Sequence, residues 1–200
     1  RGSDPIEQVL RRVSPRGEIT STVHLPMVET AAYRFTSPAL RMSAAVPFTP
    51  SLFWAVARDG SVWLGPSAEF RLFKTDASGD TLLVVERDYP AELVTARERT
   101  EALEADPGAA RIRELGGRTD PELIPAHKPA FTRLEVARDG SAWVWRSMPG
   151  GETPLIDVFD ANGEGIEQIE PEFADGRPAS PLYVTWAPGG QLYVTANPVG

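Results

Sequence analysis

The 200-residue chain contains no cysteine, only two histidines and no long apolar run. Without cysteine it can form no disulfide, thiol nucleophile or thiolate metal site. The two histidines, His24 and His127, are too few for a metal site built on several imidazoles, and a lone histidine is more often structural than catalytic. A bilayer span needs about 18 consecutive apolar residues, so we expect no membrane span. No signal peptide is visible either.

Positive charge is also scarce, since 20 Lys and Arg face 28 Asp and Glu and leave a net charge of −8. A nucleic-acid backbone or an anionic membrane is therefore not an expected partner. The acidity is concentrated between Gly151 and Ser180, where eight carboxylates face Arg177 alone. We interpret this stretch as a solvated acidic surface; the alternative is a surface for a cation or a basic partner.

Local catalytic signatures are missing as well. The sequence has no Gly-x-Ser-x-Gly, no His-Glu-x-x-His and no phosphate-binding glycine loop. A site assembled from several distant segments would leave no such motif, so catalytic residues stay unassigned.

The clearest positive feature is a repeat: the octapeptide Val56–Trp63 recurs as Val136–Trp143 with one change, 80 residues later. A repeated segment indicates one structural unit used twice. Each copy places Asp-Gly between two apolar runs, and this pattern predicts a β-hairpin because glycine accepts a positive φ.

A second hairpin is predicted after each copy, with turns at Asp76–Gly79 and Asp160–Gly163. The repeating unit is thus four antiparallel strands. Half units flank the two whole ones, at residues 9–25 and 182–195. The 19 prolines and 17 glycines suit many short strands joined by turns. The sequence therefore predicts one all-β domain over residues 1–200.

Residues 95–126 interrupt the strand pattern. Thr95 and Glu98 have the spacing of a capping box. Asp106 followed by Pro107 predicts a second helix start, and Gly116-Gly117 a stop. Interleaved Arg and Glu predict exposed ion pairs rather than an anion site. We expect a short helical insertion here.

Four segments resemble the bacterial six-bladed β-propellers of the NHL-repeat and TolB-like families: Val136–Trp143, Phe159–Gly163, Val46–Pro50 and Tyr89–Arg99. The resemblance implies four-stranded propeller blades, of which this chain holds about three, so it implies a partial propeller. It also implies that the glycine turns share one face of the disc, while the loops and the insertion lie on the opposite, ligand-binding face.

This geometry assigns structural roles to several side chains. The aspartates expected to form turns on the non-binding face are Asp59, Asp76, Asp139 and Asp160. The tryptophans expected between blades are Trp63, Trp143 and Trp145, and those expected in the core are Trp54 and Trp186.

The candidates for the ligand face are His127, Lys128, Arg133 and Glu135. His127 and Lys128 precede the predicted inner strand, which would place them near the mouth of the channel. Glu135 replaces Ala55 of the first copy, so the repeat is broken there by a charge.

The favoured function is a non-catalytic binding module that presents its loop face to a protein, peptide or glycan, with no cofactor predicted. The alternative is a lactonase-like hydrolase or lyase with a divalent cation such as Ca²⁺ in the central channel, held by His127, Glu135 and loop residues. A third interpretation is a structural fragment of a larger propeller, which would self-associate through exposed terminal blades. The compartment stays open, with a periplasmic or extracellular location favoured.

Overall fold

The computed structural model describes residues 8–148 and 155–171, and the backbone of two further strands. Over this part the chain is predominantly antiparallel β-structure with two short helices, so the prediction of an all-β chain with a helical insertion is confirmed at this level. The strands are β1 Val9–Val13, β2 Ile19–His24, β3 Ala32–Thr36, β4 Arg41–Ala45, β5 Leu52–Val56, β6 Val62–Pro66, β7 Arg71–Thr75, β8 Thr81–Glu86, β9 Phe131–Val136, β10 Ala142–Arg146, β11 Ile156–Phe159, β12 Gly165–Ile169, β13 Pro181–Trp186 and β14 Leu192–Ala196. The helices are α1 Ala96–Ala105 and α2 Pro107–Glu114.

Two four-stranded sheets contain the repeated octapeptide. Sheet I has the order β5-β6-β7-β8 and sheet II the order β9-β10-β11-β12, so each strand pairs with its neighbour in sequence. The register agrees too: Ala55 lies opposite Trp63 in sheet I, and Glu135 lies opposite Trp143 in sheet II. The repeat is therefore one structural unit used twice.

The predicted half units are present as two-stranded sheets, β1–β2 at one end and β13–β14 at the other. The glycine turn between β1 and β2 is described, with Gly17 at φ 83°. The turn expected at Pro188–Gly190 lies outside the described residues.

The repeated Asp-Gly closes a three-residue hairpin loop rather than a two-residue one. Gly60 N donates to Ala57 O at 3.0 Å and Ala57 N donates to Ser61 O at 2.8 Å. Only Gly60, with φ 88°, has a left-handed backbone in this loop, which is the hairpin that ends in a glycine bulge. Asp59 accepts from Ser61 N at 2.9 Å and from its hydroxyl at 2.6 Å, and these bonds lower the pKa of Asp59. It is a turn former, as predicted.

The carboxylates of the other three aspartates likewise accept hydrogen bonds from backbone N–H groups of their own turns. Asp139 accepts from the Ser141 backbone at 3.0 Å, as Asp59 does from Ser61. Asp160 stands at the first position of its loop and accepts from Asn162 N at 2.9 Å and Glu164 N at 2.8 Å. These bonds, first among them the one from Glu164, lower the pKa of Asp160. Asp76 accepts the equivalent pair of bonds.

Sheets I and II pack face to face on an aromatic core. Its fully buried members Trp63 and Leu72 come from sheet I, and Phe131 and Val144 come from sheet II. The rings of Phe70 and Phe131 meet edge to face, with centroids 5.9 Å apart. Full burial of each such side chain contributes about 1.5–3 kcal/mol, so this contact holds the two sheets together.

The described tryptophans outside this core lie on the other faces of the two sheets and differ in burial. Trp145 is buried on the far side of sheet II with Ile156 and Val158, and Trp143 packs against them. The expectation that Trp54 lies in the core is wrong, because it is 45% exposed. It projects from the edge strand β5 on the face of sheet I against which the β1–β2 hairpin packs. Trp186 lies in a strand whose side chains are not described.

The helical insertion folds together with a hairpin that the sequence did not predict. Strands β3 and β4 pack against α2 around Tyr33, Val46 and Ile112. The contact with β4 is close, since a Cβ on Gly108 would lie 2.7 Å from the Cβ of Ala44. We call β3, β4, α1 and α2 the cap. Neither helix of the described chain is long and apolar enough to cross a bilayer.

Replacing Gly60 with Ala tests the hairpin geometry. Its added Cβ meets nothing closer than Arg12 Nη1 at 3.5 Å, so the loss of stability arises from the positive φ alone, about 1–2 kcal/mol. Gly60→Asn should lose less, because Asn tolerates this conformation. Urea denaturation measures both. Equal losses for Ala and Asn would contradict this account of the loop.

Candidate functional site

A cleft of about 510 Å³ opens on the side of the sheets opposite the glycine turns. Its walls come from three segments: the β6–β7 connection around Phe70, the exit of β8 around Tyr89, and the approach to β9 around Lys128. We call it the loop-side cleft. It lies where the two stacked sheets meet, and the cap approaches it through the contact of Glu98 with the lining residue Lys128.

Backbone hydrogen bonds fix these walls relative to one another. Ala130 N donates to Ser67 O at 2.6 Å and thus ties sheet II to the β6–β7 connection. Ser147 N donates to Ala130 O at 3.2 Å, and Arg87 N donates to Phe70 O at 3.1 Å. Because the backbone groups are paired in this way, the cleft is a preformed feature of the fold.

The buried carboxylate of Asp157 lies behind one wall. Asp157 is fully buried on β11, yet it contacts two guanidinium groups. Arg87 Nη1 lies 2.6 Å from Oδ1, and Arg146 contacts both carboxylate oxygens, with Nη2 3.0 Å from Oδ1. Gln168 Nε2 donates to the same oxygen at 2.8 Å. These donors offset the cost of burying the carboxylate.

Arg87 makes this network part of the cleft. It follows β8 of sheet I, whereas Asp157 belongs to sheet II, so the ion pair crosses the interface between the sheets. Its guanidinium also lies 5.3 Å from the centre of the Phe159 ring. About a third of the Arg87 side chain, 35%, remains exposed on the cleft side.

Tyr89 is held in a single orientation on the same wall. Its hydroxyl donates to Ser147 O, and the guanidinium of Arg146 lies 5.6 Å from its ring centre. Burial raises the pKa of Tyr89, followed by the charge of Glu92. The phenol is therefore neutral and its hydroxyl is already hydrogen-bonded, so Tyr89 is suited to form a wall of a binding site and not to act as a nucleophile.

Lys128, one of the predicted site residues, connects the cleft to the cap. Its Nζ lies 2.6 Å from Glu98 Oε1 and donates to Met148 O at 3.0 Å. Glu98 also completes the capping box of α1 by accepting from Thr95 N at 2.9 Å. The bond from Lys128, and then that from the Thr95 backbone, lower the pKa of Glu98 to about 2.

The other predicted site residues do not join Lys128. His127 is exposed and its backbone forms an isolated bridge with Leu93. Arg133 and Glu135 pair with each other, with Nε 3.0 Å from Oε1, on the face of sheet II that carries Trp145. Glu135 stands about 13 Å along β9 from Phe131, at about 3.3 Å per residue. Of the four predicted site residues, Arg133 and Glu135 thus form an ion pair away from the cleft, His127 is exposed, and Lys128 alone lines the cleft.

Sequence reasoning missed Asp157, Arg87 and Arg146. One signal was present, since Asp157 is a charged residue in the middle of the apolar run Leu155–Phe159. A carboxylate at such a position needs buried partners. The identity of the partners was not visible, because Arg87 lies 70 residues away in sequence.

Metal binding gains no support from the part of the chain that is described. In residues 8–148 and 155–171, no three His, Asp or Glu side chains lie close enough together to hold an ion. The two residues proposed for a channel cation, His127 and Glu135, stand in different surroundings.

A comparison with models of known protein families found no match, and no curated protein proved similar to the chain. We therefore infer function from the geometry of the fold and of the cleft.

Replacing Asp157 with Asn tests the buried network. The change leaves two guanidinium groups without their carboxylate, and breaking a buried pair in this way costs about 3–5 kcal/mol. Glu167→Gln, on the neighbouring strand β12, is the matched control because Glu167 is exposed. Chemical denaturation measures both. A loss below about 1 kcal/mol for Asp157→Asn, the level of a surface pair, would show that the network does not hold the sheets together.

The Glu98–Lys128 contact predicts a pH dependence of stability. The folded protein holds the pKa of Glu98 near 2, below its ordinary value of 4.5. The stabilisation is therefore complete above about pH 4.5 and is lost as the pH falls from there towards 2. Glu98→Gln should reduce the slope of unfolding free energy against pH in this window, whereas Glu104→Gln on the same helix should not. Equal slopes for wild type and Glu98→Gln would contradict the assignment.

Proposed function

We propose that the chain is a non-catalytic binding module of the β-propeller type, which takes a basic segment of a partner protein or peptide into the loop-side cleft. Two stacked four-stranded sheets with one repeated register support the architecture. The cleft volume of about 510 Å³ is in the ordinary range for ligand sites, about 300–1,000 Å³.

The charge balance of the cleft carries the proposal. Each of its cations already has an anionic partner: Arg71 lies 2.9 Å from Glu86, Arg87 contacts Asp157, and Lys128 contacts Glu98. Glu69 and Asp88 line the same cleft, and neither has a cationic partner among the described residues. The free charge is therefore negative, and a lysine or arginine side chain is its complement.

The apolar part of the lining fits the same ligand. The half-buried ring of Tyr89 forms an aromatic wall that the buried ring of Phe70 supports from behind, and Ala68 and Ala91 keep the cleft open. A lysine or arginine side chain lays its methylene groups on such a wall while its charged end reaches a carboxylate. A neutral glycan can stack on the aromatic wall and donate hydroxyl hydrogen bonds to the carboxylates, but it does not neutralise their charge, so a basic peptide is the favoured ligand.

We favour binding over catalysis because the hydroxyl groups at and beside the cleft already take part in hydrogen bonds within the protein. Tyr89 is neutral and hydrogen-bonded. The hydroxyl of Ser67 is buried and accepts a bond from Ser51 N at 2.9 Å. In the described lining, therefore, no nucleophile stands beside a general base, the pair that covalent catalysis uses.

Charge removal at Glu69 and Asp88 tests the proposal. The double variant Glu69→Gln with Asp88→Asn should bind a fluorescein-labelled peptide of alternating Lys and Ser about five- to tenfold more weakly, since exposed ion pairs contribute up to about 1 kcal/mol each. Fluorescence anisotropy measures the affinity. Glu104→Gln, which removes a carboxylate of the cap outside the cleft lining, should leave it unchanged.

Three other results would count against this function. One is equal binding of the lysine peptide by the double variant and the control. Another is tighter binding of the matching glutamate peptide. The third is binding of a neutral oligosaccharide that the double variant retains, which would indicate a glycan module.

A further inference from the structure

A second depression, independent of the loop-side cleft, lies on the side of the glycine turns. It has a volume of about 310 Å³ and runs between β1–β2 and sheet I. Its floor is apolar and is made by Leu10, Val23, Val56 and Val62. We call it the turn-side groove.

Three arginines surround this apolar floor: Arg11, Arg12 and Arg58. None of them has an acidic partner among the described residues, although the chain carries a net charge of −8. The nearest carboxylate in sequence, that of Asp59, is engaged by Ser61. Arg12 extends across to the β5–β6 turn, since its Nη1 would lie 3.5 Å from a Cβ on Gly60. Unpaired positive charge is therefore concentrated at one apolar groove.

The groove covers one face of the β1–β2 hairpin and reaches the edge of β1. Leu10 and Arg12 line it together with their β2 partners Val23 and Ser21, which share that face. Arg11 leaves the opposite face of the strand and yet also lines the groove, so the groove extends to the edge of β1. On its other edge β1 pairs with β2, and no other described strand pairs with β1. An unpaired strand edge presents backbone donors and acceptors to an added strand.

Exposed apolar side chains continue the floor along β5. Trp54 and Val56 stand on one face of this strand, two residues apart, and are 45% and 55% exposed. They lie opposite Leu64 and Val62 of β6. An extended chain beside β1 would cover this face with every second side chain.

We propose that the turn-side groove binds an extended acidic segment of a partner protein, which adds as a strand to the free edge of β1. Its alternate apolar side chains cover Val56 and Trp54, and its carboxylates accept hydrogen bonds from Arg11, Arg12 and Arg58. Main-chain bonds to a sheet edge supply affinity, while side-chain contacts supply specificity. Carboxylate–guanidinium bonds are among the stronger hydrogen bonds in proteins.

The test uses a fluorescein-labelled peptide of alternating Glu and Val, measured by fluorescence anisotropy with the full chain. Arg12→Glu and Arg58→Glu should each weaken binding on the order of tenfold, about 1.4 kcal/mol. Both side chains are exposed, so folding should be unaffected and is checked by circular dichroism. Arg41→Glu, an exposed arginine of β4 in the cap, is the matched control and should bind as the wild type does.

Two further peptides separate strand addition from other modes of binding. A copy N-methylated at alternate residues cannot donate to the edge of β1 and should bind at least tenfold more weakly, and a Lys-Val copy should not bind. Equal binding of the N-methylated copy, or of decanoate as a small amphipathic carboxylate, would overturn the strand model.

A second copy of the chain is the competing occupant. Size-exclusion chromatography with light scattering should show the same mass for the wild type and for Arg58→Glu. A dimer that Arg58→Glu converts to a monomer would overturn the proposal, because the groove would then be an interface between copies. Binding at the loop-side cleft is unaffected by these variants, so the two proposals fail separately.

Discussion

The contact between Asp157 and its two arginines is the constraint on which the arrangement of the two sheets depends. The aromatic core supplies most of the apolar burial between them, but apolar contact alone does not define one relative position. The carboxylate does, because it needs Arg87 from the exit of sheet I and Arg146 from β10 at the same time. The same geometry places Arg87 and Tyr89 on one wall of the loop-side cleft. The shape of the cleft is thus a consequence of how one buried charge is satisfied.

The loop-side cleft and the turn-side groove differ in the sign of the charged side chains that have no internal partner among the described residues. Among the described residues, the cations that line the loop-side cleft are paired with internal carboxylates, whereas Glu69 and Asp88 have no cationic partner. On the turn side, the four turn-forming aspartates accept hydrogen bonds from backbone N–H groups of their own loops, and the arginines of the turn-side groove have no acidic partner among the described residues. This division explains how an acidic chain presents a basic groove. It also means that net charge alone is a poor guide to what either side binds.

The parts of the fold that follow local rules were predictable, and those that depend on distant contacts were not. The Asp-Gly repeat predicted the paired hairpins, and Thr95 with Glu98 predicted the start of α1, because turns and caps involve residues a few positions apart. The β3–β4 hairpin was missed because its core forms with α2, more than 60 residues later. Lys128 was selected for its position before β9, but its partner Glu98 became known only from the structure. Glu135 was selected because it replaces Ala55 of the first copy, and in the structure its carboxylate forms an ion pair with Arg133.

Glu98 takes part in two structures at once, the first turn of α1 and the ion pair with Lys128. Separating the cap from sheet II would remove one partner of Glu98, and unwinding the first turn would remove the other. The two events are therefore thermodynamically coupled through a single side chain. Movement of the cap away from the cleft accordingly removes the Lys128 contact that orients the Glu98 side chain, so the first turn of α1 loses stability and unfolds locally more readily.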